Sequence, residues 1–239
     1  MKKITLSIVA VLFCSTAFVS AQNLDKILDN YFEVLGQETI LDAKTSETTG
    51  KMLQMGMEFP FKQYSAAPNK FRIEATFQDM TLISTFNGKE GWSINPFMGS
   101  TEPVAMTDEI FKSTEIQADY EGQLWNWKDK GYTVSLEKNE EVEGVDCFVI
   151  KAVSKDEDVF TFFIDTESYV LIKMNSKMKI QEQIVESDTF MSNYQEGDGF
   201  IYAAKIETKI GGQITATIVI DEMILGEKYD SSLFDKPVK

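Results

Sequence analysis

From about Lys44 onward, apolar residues recur at every second position, and this period limits the fold more than any other feature. "KFRIEATF" sets Phe71, Ile73, Ala75 and Phe77 on one side, with Lys70, Arg72, Glu74 and Thr76 on the other. "YTVSLE", "MNSKMKI" and "YAAKIETKI" repeat the alternation. One buried and one wetted face marks antiparallel sheet. Turn formers separate the runs: Ala67-Pro68-Asn69, Asn87-Gly88, Glu143-Gly144, Lys155-Asp156, Asp165-Thr166, Glu196 to Gly199 and Gly211-Gly212. The spacing predicts about eleven strands in meander order. No proline-rich or Gly/Ser-rich linker interrupts them, so a single domain is expected over residues 22–239.

Two regions follow a helical period instead. In "NLDKILDNYFEVLG", Leu24, Ile27, Leu28, Tyr31, Phe32 and Leu35 fall on one face. Asn23 is the expected N-cap and Gly36 the expected stop, with a short second helix near Glu38 to Ala43. Residues 104–130 do not alternate and are expected to form one or two short helices. Thr107 would be their cap, with Ile110, Phe111, Trp125 and Trp127 as apolar anchors. One long sheet with helices added to cover a face is an α+β arrangement.

The amino-terminus addresses the chain. Lys2 and Lys3 precede an apolar run from Ile4 to Phe18, and Val19-Ser20-Ala21 resembles a cleavage site. This pattern is that of a secretory signal peptide over residues 1–21, cleaved after Ala21, so the mature protein is expected to be exported. Cys14 follows Phe13, where a lipidated cysteine needs a small residue, so no lipid anchor is expected. Cys147 then stands alone, and a buried inert thiol is the expected role.

Charge and composition remove several function classes. Without Lys2 and Lys3 the chain has 21 basic and 38 acidic residues, a charge of −17. Neither nucleic acid nor an anionic membrane surface is an expected partner. Arg72 is the only arginine, so no bidentate arginine cluster for phosphate exists. There is no histidine, which removes histidine triads and the common histidine metal sites. Neither a cofactor nor a metal is expected. Glu90, Asp108 and Glu109 could supply a carboxylate pair, but no nucleophile or oxyanion motif accompanies them.

The segment "NGKEGWSINPFMGSTEP", residues 87–103, carries an unusual apolar load for a loop. Asn87-Gly88 predicts a type I′ hairpin turn that places Trp92 in the returning strand. Asn95-Pro96 should end that strand, and Phe97 and Met98 follow. Two accounts stand side by side. These residues either plug the end of a curved sheet or border an apolar opening, where methionine suits variable partners.

The same residues resemble the LolA-like periplasmic carriers and sorting proteins of outer-membrane lipoproteins. The match rests on Asn87, Gly88, Lys89, Trp92, Asn95, Pro96 and Phe97, and upstream on Pro68, Asn69 and Phe71. "VEGVDCFVIKA", "FFIDTESYVLIKM" and "SSLFDKP" resemble later parts of Bacteroidetes-type members. The resemblance implies a curved, incomplete β-barrel of about eleven antiparallel strands, with helices covering its concave face and an apolar cavity between them. It implies a non-enzymatic monomer that binds lipid or lipoprotein acyl chains, served by membrane-associated donor and receptor proteins. Trp92, Phe97 and Met98 would then edge the cavity, with Met52, Phe71, Ile73 and Phe77 as walls. The early strand "ETTGKMLQMGMEF" lacks the arginine with which type members latch their lid helices. Arg72, on the polar side of its strand, is expected to be solvated or ion-paired. The other reading on the same fold is a periplasmic interaction or sensor module, which needs no open cavity.

Overall fold

A computed structural model describes residues 14–237 except 55, 181 and 182, and describes only the backbone of residues 14–22. The signal segment expected at 1–21 therefore lies largely outside the described residues. The cleavage site is described only as helical backbone, and the side chain of Cys14 lies outside the described residues.

Helix α1 (Cys14–Leu35) leads through Gly36 into α2 (Gln37–Ala43). Residues 14–22 are also helical, so Asn23 sits inside α1 rather than capping it. Gly36 does stop the helix, with φ +67°, and a Cβ there would sit 2.2 Å from the carbonyl oxygen of Gly199. Only glycine fits that close approach.

Strands β1 (Thr45–Gln54), β2 (Met57–Ala66), β3 (Lys70–Phe77), β4 (Met80–Phe86) and β5 (Gly91–Asn95) follow as a meander. A 3-10 turn, Pro96–Met98, joins β5 to β6 (Ser100–Ala105). Helices α3 (Asp108–Ala118) and α4 (Trp127–Lys130) come next. The chain then forms β7 (Thr133–Leu136), β8 (Glu140–Val142), β9 (Val145–Val153), β10 (Val159–Asp165) and β11 (Leu171–Ile180). It ends with β12 (Gln183–Glu196), β13 (Ile201–Ile210), β14 (Gln213–Leu225) and a 3-10 turn, Ser231–Phe234.

All fourteen strands belong to one curved antiparallel sheet that does not close, in the order β6-β5-β4-β3-β2-β1-β14-β13-β12-β11-β10-β9-β7, with β8 also on β9. The α+β layout is as expected, and the strand count exceeds the expected eleven. Strand β6 was hidden by Pro103, which an edge strand tolerates. Strand β8 is only three residues long. A meander alone also fails at two places: β1 pairs with β14, and β7 pairs with β9. Because β6 and β7 are the opposite edges of the sheet, residues 106–132 must cross from one edge to the other. That crossing lays α3 and α4 over the inner face.

The main core lies under α1. Leu24, Ile27 and Leu28 pack with Leu124, Ile150, Ala152, Phe160, Phe162, Ile164 and Leu171. A second cluster joins Phe71 and Phe86 to Ala118 and Phe111 of α3. Thr107 caps α3 as expected, accepting from the Ile110 amide, and Asp108 and Glu109 favour its first turn. On the outer face, Cys147 is fully buried with Val149 and Phe163, and burial, followed by Asp165 and Asp146, pushes its thiol up.

Candidate functional site

The inner face of the sheet carries an apolar row that crosses six strands. Met52 of β1 pairs with Phe59 of β2 on one side and with Ile218 of β14 on the other. Ile218 pairs with Ile206 of β13, and Ile206 with Met191 of β12. Directly paired residues share a face, so these side chains lie side by side. At the far end, the Phe59 ring lies 5.4 Å from Phe77 of β3. Phe97 of the 3-10 turn closes the group, 6.0 Å from Phe59 and 6.3 Å from Phe77.

Five inter-strand spacings make this row about 24 Å long. Phe77, Phe59, Met52, Ile218, Ile206 and Met191 are all half-buried, and Phe97 is exposed. They differ from Phe71 and Phe86 on the same face, which α3 covers with Ala118 and Phe111. Gly50 shapes the neighbouring surface. A Cβ there would meet the Val219 carbonyl oxygen at 2.2 Å and the Phe61 ring at 3.0 Å, at a point where the β1–β14 register shifts.

The residues singled out in the sequence divide into three sets. Met52, Phe77 and Phe97 come together in the row. Phe71 is buried core beneath α3, and Ile73 packs against the same cluster. Met98 is 84 % exposed at the edge. Trp92 lies on the opposite face, because it pairs with Thr85, whose hydroxyl donates to the Phe234 carbonyl oxygen 2.9 Å away. The carboxy-terminal turn thus covers part of the outer face near Trp92. The same turn accounts for Arg72, which is ion-paired to Glu74 at 2.6 Å and donates to the Leu233 carbonyl oxygen at 3.1 Å.

Sequence reasoning missed Phe59, Ile218, Ile206 and Met191. Phe59 had a local signal in the alternation Met57, Phe59, Phe61, obscured by Pro60. The other three enter the site only through cross-strand pairing.

Three cavities lie elsewhere and touch none of the seven candidate residues. One of about 480 Å³ lies between α1, α2, Trp125 and Gly199. One of about 350 Å³ lies between α1 and the α4 segment. The third, about 450 Å³, is bordered by Lys112, Lys130, Asp119, Asp156, Asp158 and Tyr132, among others. Burial, and then the negative charges of Asp119, Asp158, Glu115 and Asp156, push the Tyr132 phenol up to about 12. Beside this cavity, Lys112 of α3 is ion-paired to the buried Asp158 at 2.7 Å and donates to the Lys179 carbonyl oxygen at 3.2 Å. The Lys179 amide donates to the same carboxylate at 2.9 Å. This arrangement fastens α3 to the far side of the sheet with the cation on the helix. Glu90, Asp108 and Glu109 are all exposed.

No family model and no curated protein matches the chain by sequence. Solved structures match by shape. A DUF1329 family protein from Desulfovibrio piger superimposes with a TM-score of 0.59 at 12% identity, covering 87% of this chain and 97% of that one. A putative outer membrane lipoprotein-sorting protein domain from Vibrio parahaemolyticus gives 0.57 at 11% identity, covering 92% and 97%. A LolA superfamily protein from Nitrosomonas europaea gives 0.56 at 12% identity, covering 83% and 97%. The chain has the LolA-like fold.

Proposed function

From the LolA-like fold and the uncovered apolar row, we propose that this protein is a non-enzymatic periplasmic carrier of lipid or lipoprotein acyl chains. It acts as one domain, residues 22–239, after release of its signal segment. The acyl chain lies along Phe77, Phe59, Met52, Ile218, Ile206 and Met191, with Phe97 at the entrance. The observation that carries the reading is this row, which stays half-buried on the inner face while Phe71, Phe86, Phe160 and Phe162 on that face are packed shut, and which meets the core under α1 only at Met191. Burial supplies the affinity, about 0.8 kcal/mol for each methylene removed from water. A single chain needs no polar recognition for this, which agrees with the absence of charge in the row itself.

The test is purification from the native periplasm, followed by organic extraction and mass spectrometry of bound lipid. Acylated species near one per protein are expected, lost from a folded Phe59→Asp/Phe77→Asp variant. Protein free of lipid at every stage of purification would reject the carrier and favour an interaction or sensor module on the same fold.

A further inference from the structure

Every charged residue of β1 to β5, from Glu47 to Glu74, lies on the outer face of the sheet. The pairing establishes it: Glu47 opposes Tyr64, Lys51 opposes Pro60, and Arg72 stands between Tyr64 and Thr85. The inner positions of the same strands hold no charge, although several are wetted. Gln63, Ser84, Ser93 and Asn95 are half-buried there, polar and neutral. Gln63 opposes Ile73, Ile73 opposes Ser84, and Ser84 opposes Ser93, so they share the face of Phe59 and Phe77. Half-wetted positions tolerate a lysine whose head reaches water, and 26% of the chain is charged. Burial alone therefore does not account for the neutrality of this face.

Asn95 stands at the mouth of the apolar row. Two positions beyond Ser93 it returns to the inner face, and it directly precedes the Pro96–Met98 turn that carries Phe97. Its side chain makes no cap bond to that turn. Its Oδ1 is buried and has no hydrogen-bond partner among the described residues. A buried acceptor left unpaired is costly, and a donor from a ligand would relieve that cost.

We propose that the site selects acyl ligands whose head is uncharged and donates a hydrogen bond, and that Asn95 is the acceptor that reads this head. The proposal rests on the carrier reading and deepens it. With the tail along the row from Phe77 toward Met191, the head lies at Phe97 and Asn95. An ionised phosphate or carboxylate would have to leave water there without a cation. The cations of these strands are committed on the outer face: Lys51 to Glu58, Lys62 to Glu47 and Arg72 to Glu74. An ammonium head would find no carboxylate on the inner face of β1 to β5, and the acidity of the chain would hold it at the outer surface. A glyceryl hydroxyl and an amide N–H are both neutral donors close to an acyl carbonyl, and either fits the Asn95 oxygen. The Pro96–Met98 turn is exposed at Phe97 and Met98, so it can give way as the head reaches that oxygen.

The test compares monolauroylglycerol, N-methyl lauramide, methyl laurate and lauroyl lysophosphatidate, which share one tail. Each is titrated below its micelle concentration against the purified protein loaded with N-phenyl-1-naphthylamine, a neutral fluorophore, and displacement is read by fluorescence. The glyceride or the amide should bind about tenfold more tightly than lysophosphatidate, whose charge finds no partner. It should bind about fivefold more tightly than methyl laurate, which has no donor. The tighter of the two identifies the donor as hydroxyl or amide. Asn95→Leu should erase the advantage over methyl laurate while leaving methyl laurate itself unchanged, and a thermal melt establishes that the variant is folded. The comparison of the four probes in the parent protein needs no variant. Equal displacement by all four overturns the inference and leaves the carrier reading standing. Tighter binding of lysophosphatidate does the same, as does an advantage that survives Asn95→Leu. Displacement by none of them, with the fluorophore bound, rejects carriage itself and the inference with it.

Discussion

At one end of the sheet, the turns after β4 and β10 are tied by polar side chains, and those after β2 and β12 meet the segment following α3 and the α1–α2 corner; at the other, most turns present Met, Ile and Phe to solvent. The same strands reach both ends with the same alternation. At the covered end, the Asn87 side chain accepts from the amides of Lys89 and Glu90, and Asp165 accepts from the Glu167 amide and the Ser168 hydroxyl. The α1–α2 corner meets Gly199, Tyr120 donates to the Ile40 carbonyl oxygen, and Gln37 donates to the Glu121 carbonyl oxygen. At the exposed end the row from Phe77 to Ile206 has no comparable cover, and only Met191 at its far end packs against the core under α1. Substitutions are therefore expected to cost more stability at the first end than along the half-buried row.

The largest expected effect comes from shortening a phenylalanine at each end. Phe86 is fully buried, and its ring meets Phe111 edge-on at 5.4 Å. Phe86→Ala should cost about 3–5 kcal/mol, measured by urea unfolding. Phe59→Ala should cost no more than about 1.5 kcal/mol, because that ring is half-wetted in the folded state, while lowering the lipid recovered with the protein. Equal losses of stability would erase the contrast between the ends.

Next in size is the clamp at the one charged turn of the exposed end. Lys112→Met leaves the buried Asp158 carboxylate without its cation. The expected loss is about 2–3 kcal/mol, at or just below the bottom of the range for broken buried pairs because Lys112 is itself partly wetted. Adding Asp158→Leu should recover part of it. If the double variant is no more stable than Lys112→Met, the amide of Lys179 and not the lysine is the partner that matters.

Much of this contrast was readable from particular residues. Thr107 capped α3, Gly36 stopped α1, and "KFRIEATF" gave its inner and outer faces correctly. Asn87-Gly88 does make a turn, but not the type I′ turn that this pair predicts. Gly88 alone takes positive φ, because the Asn87 side chain holds a four-residue connection in place of a type I′ turn. Trp92 looked like a companion of Phe97, five residues away. Its register with Thr85 puts it on the other face. The apolar row is harder still to read, since it runs across strands and not along one. Met52 and Ile218 are brought together only by the pairing of the first strand with the last, which no local period encodes. The helical cover was predicted from residues 104–130, but which end it shields depends on where those residues cross the curved sheet.

The smallest expected effect tests whether polar turn chemistry contributes to the covered end. Burial alone would raise the Asp165 carboxyl, but hydrogen bonds from Ser168 and Glu167 outweigh it and hold the group below its ordinary value. A carboxyl lowered by folding stabilises the protein above its unfolded value of about 3.9, and loses that contribution as pH falls through the folded value. Asp165→Asn should therefore be less stable than the parent at neutral pH. The gap should narrow as pH falls below about 4, followed by thermal melts of both proteins in parallel. A gap of constant size down to about pH 3 would assign the loss to packing around Thr166 and Tyr169 instead of to the ionised carboxylate. The covered end would then be stabilised by its helices alone, and its turns would differ from the apolar tips only in what they expose.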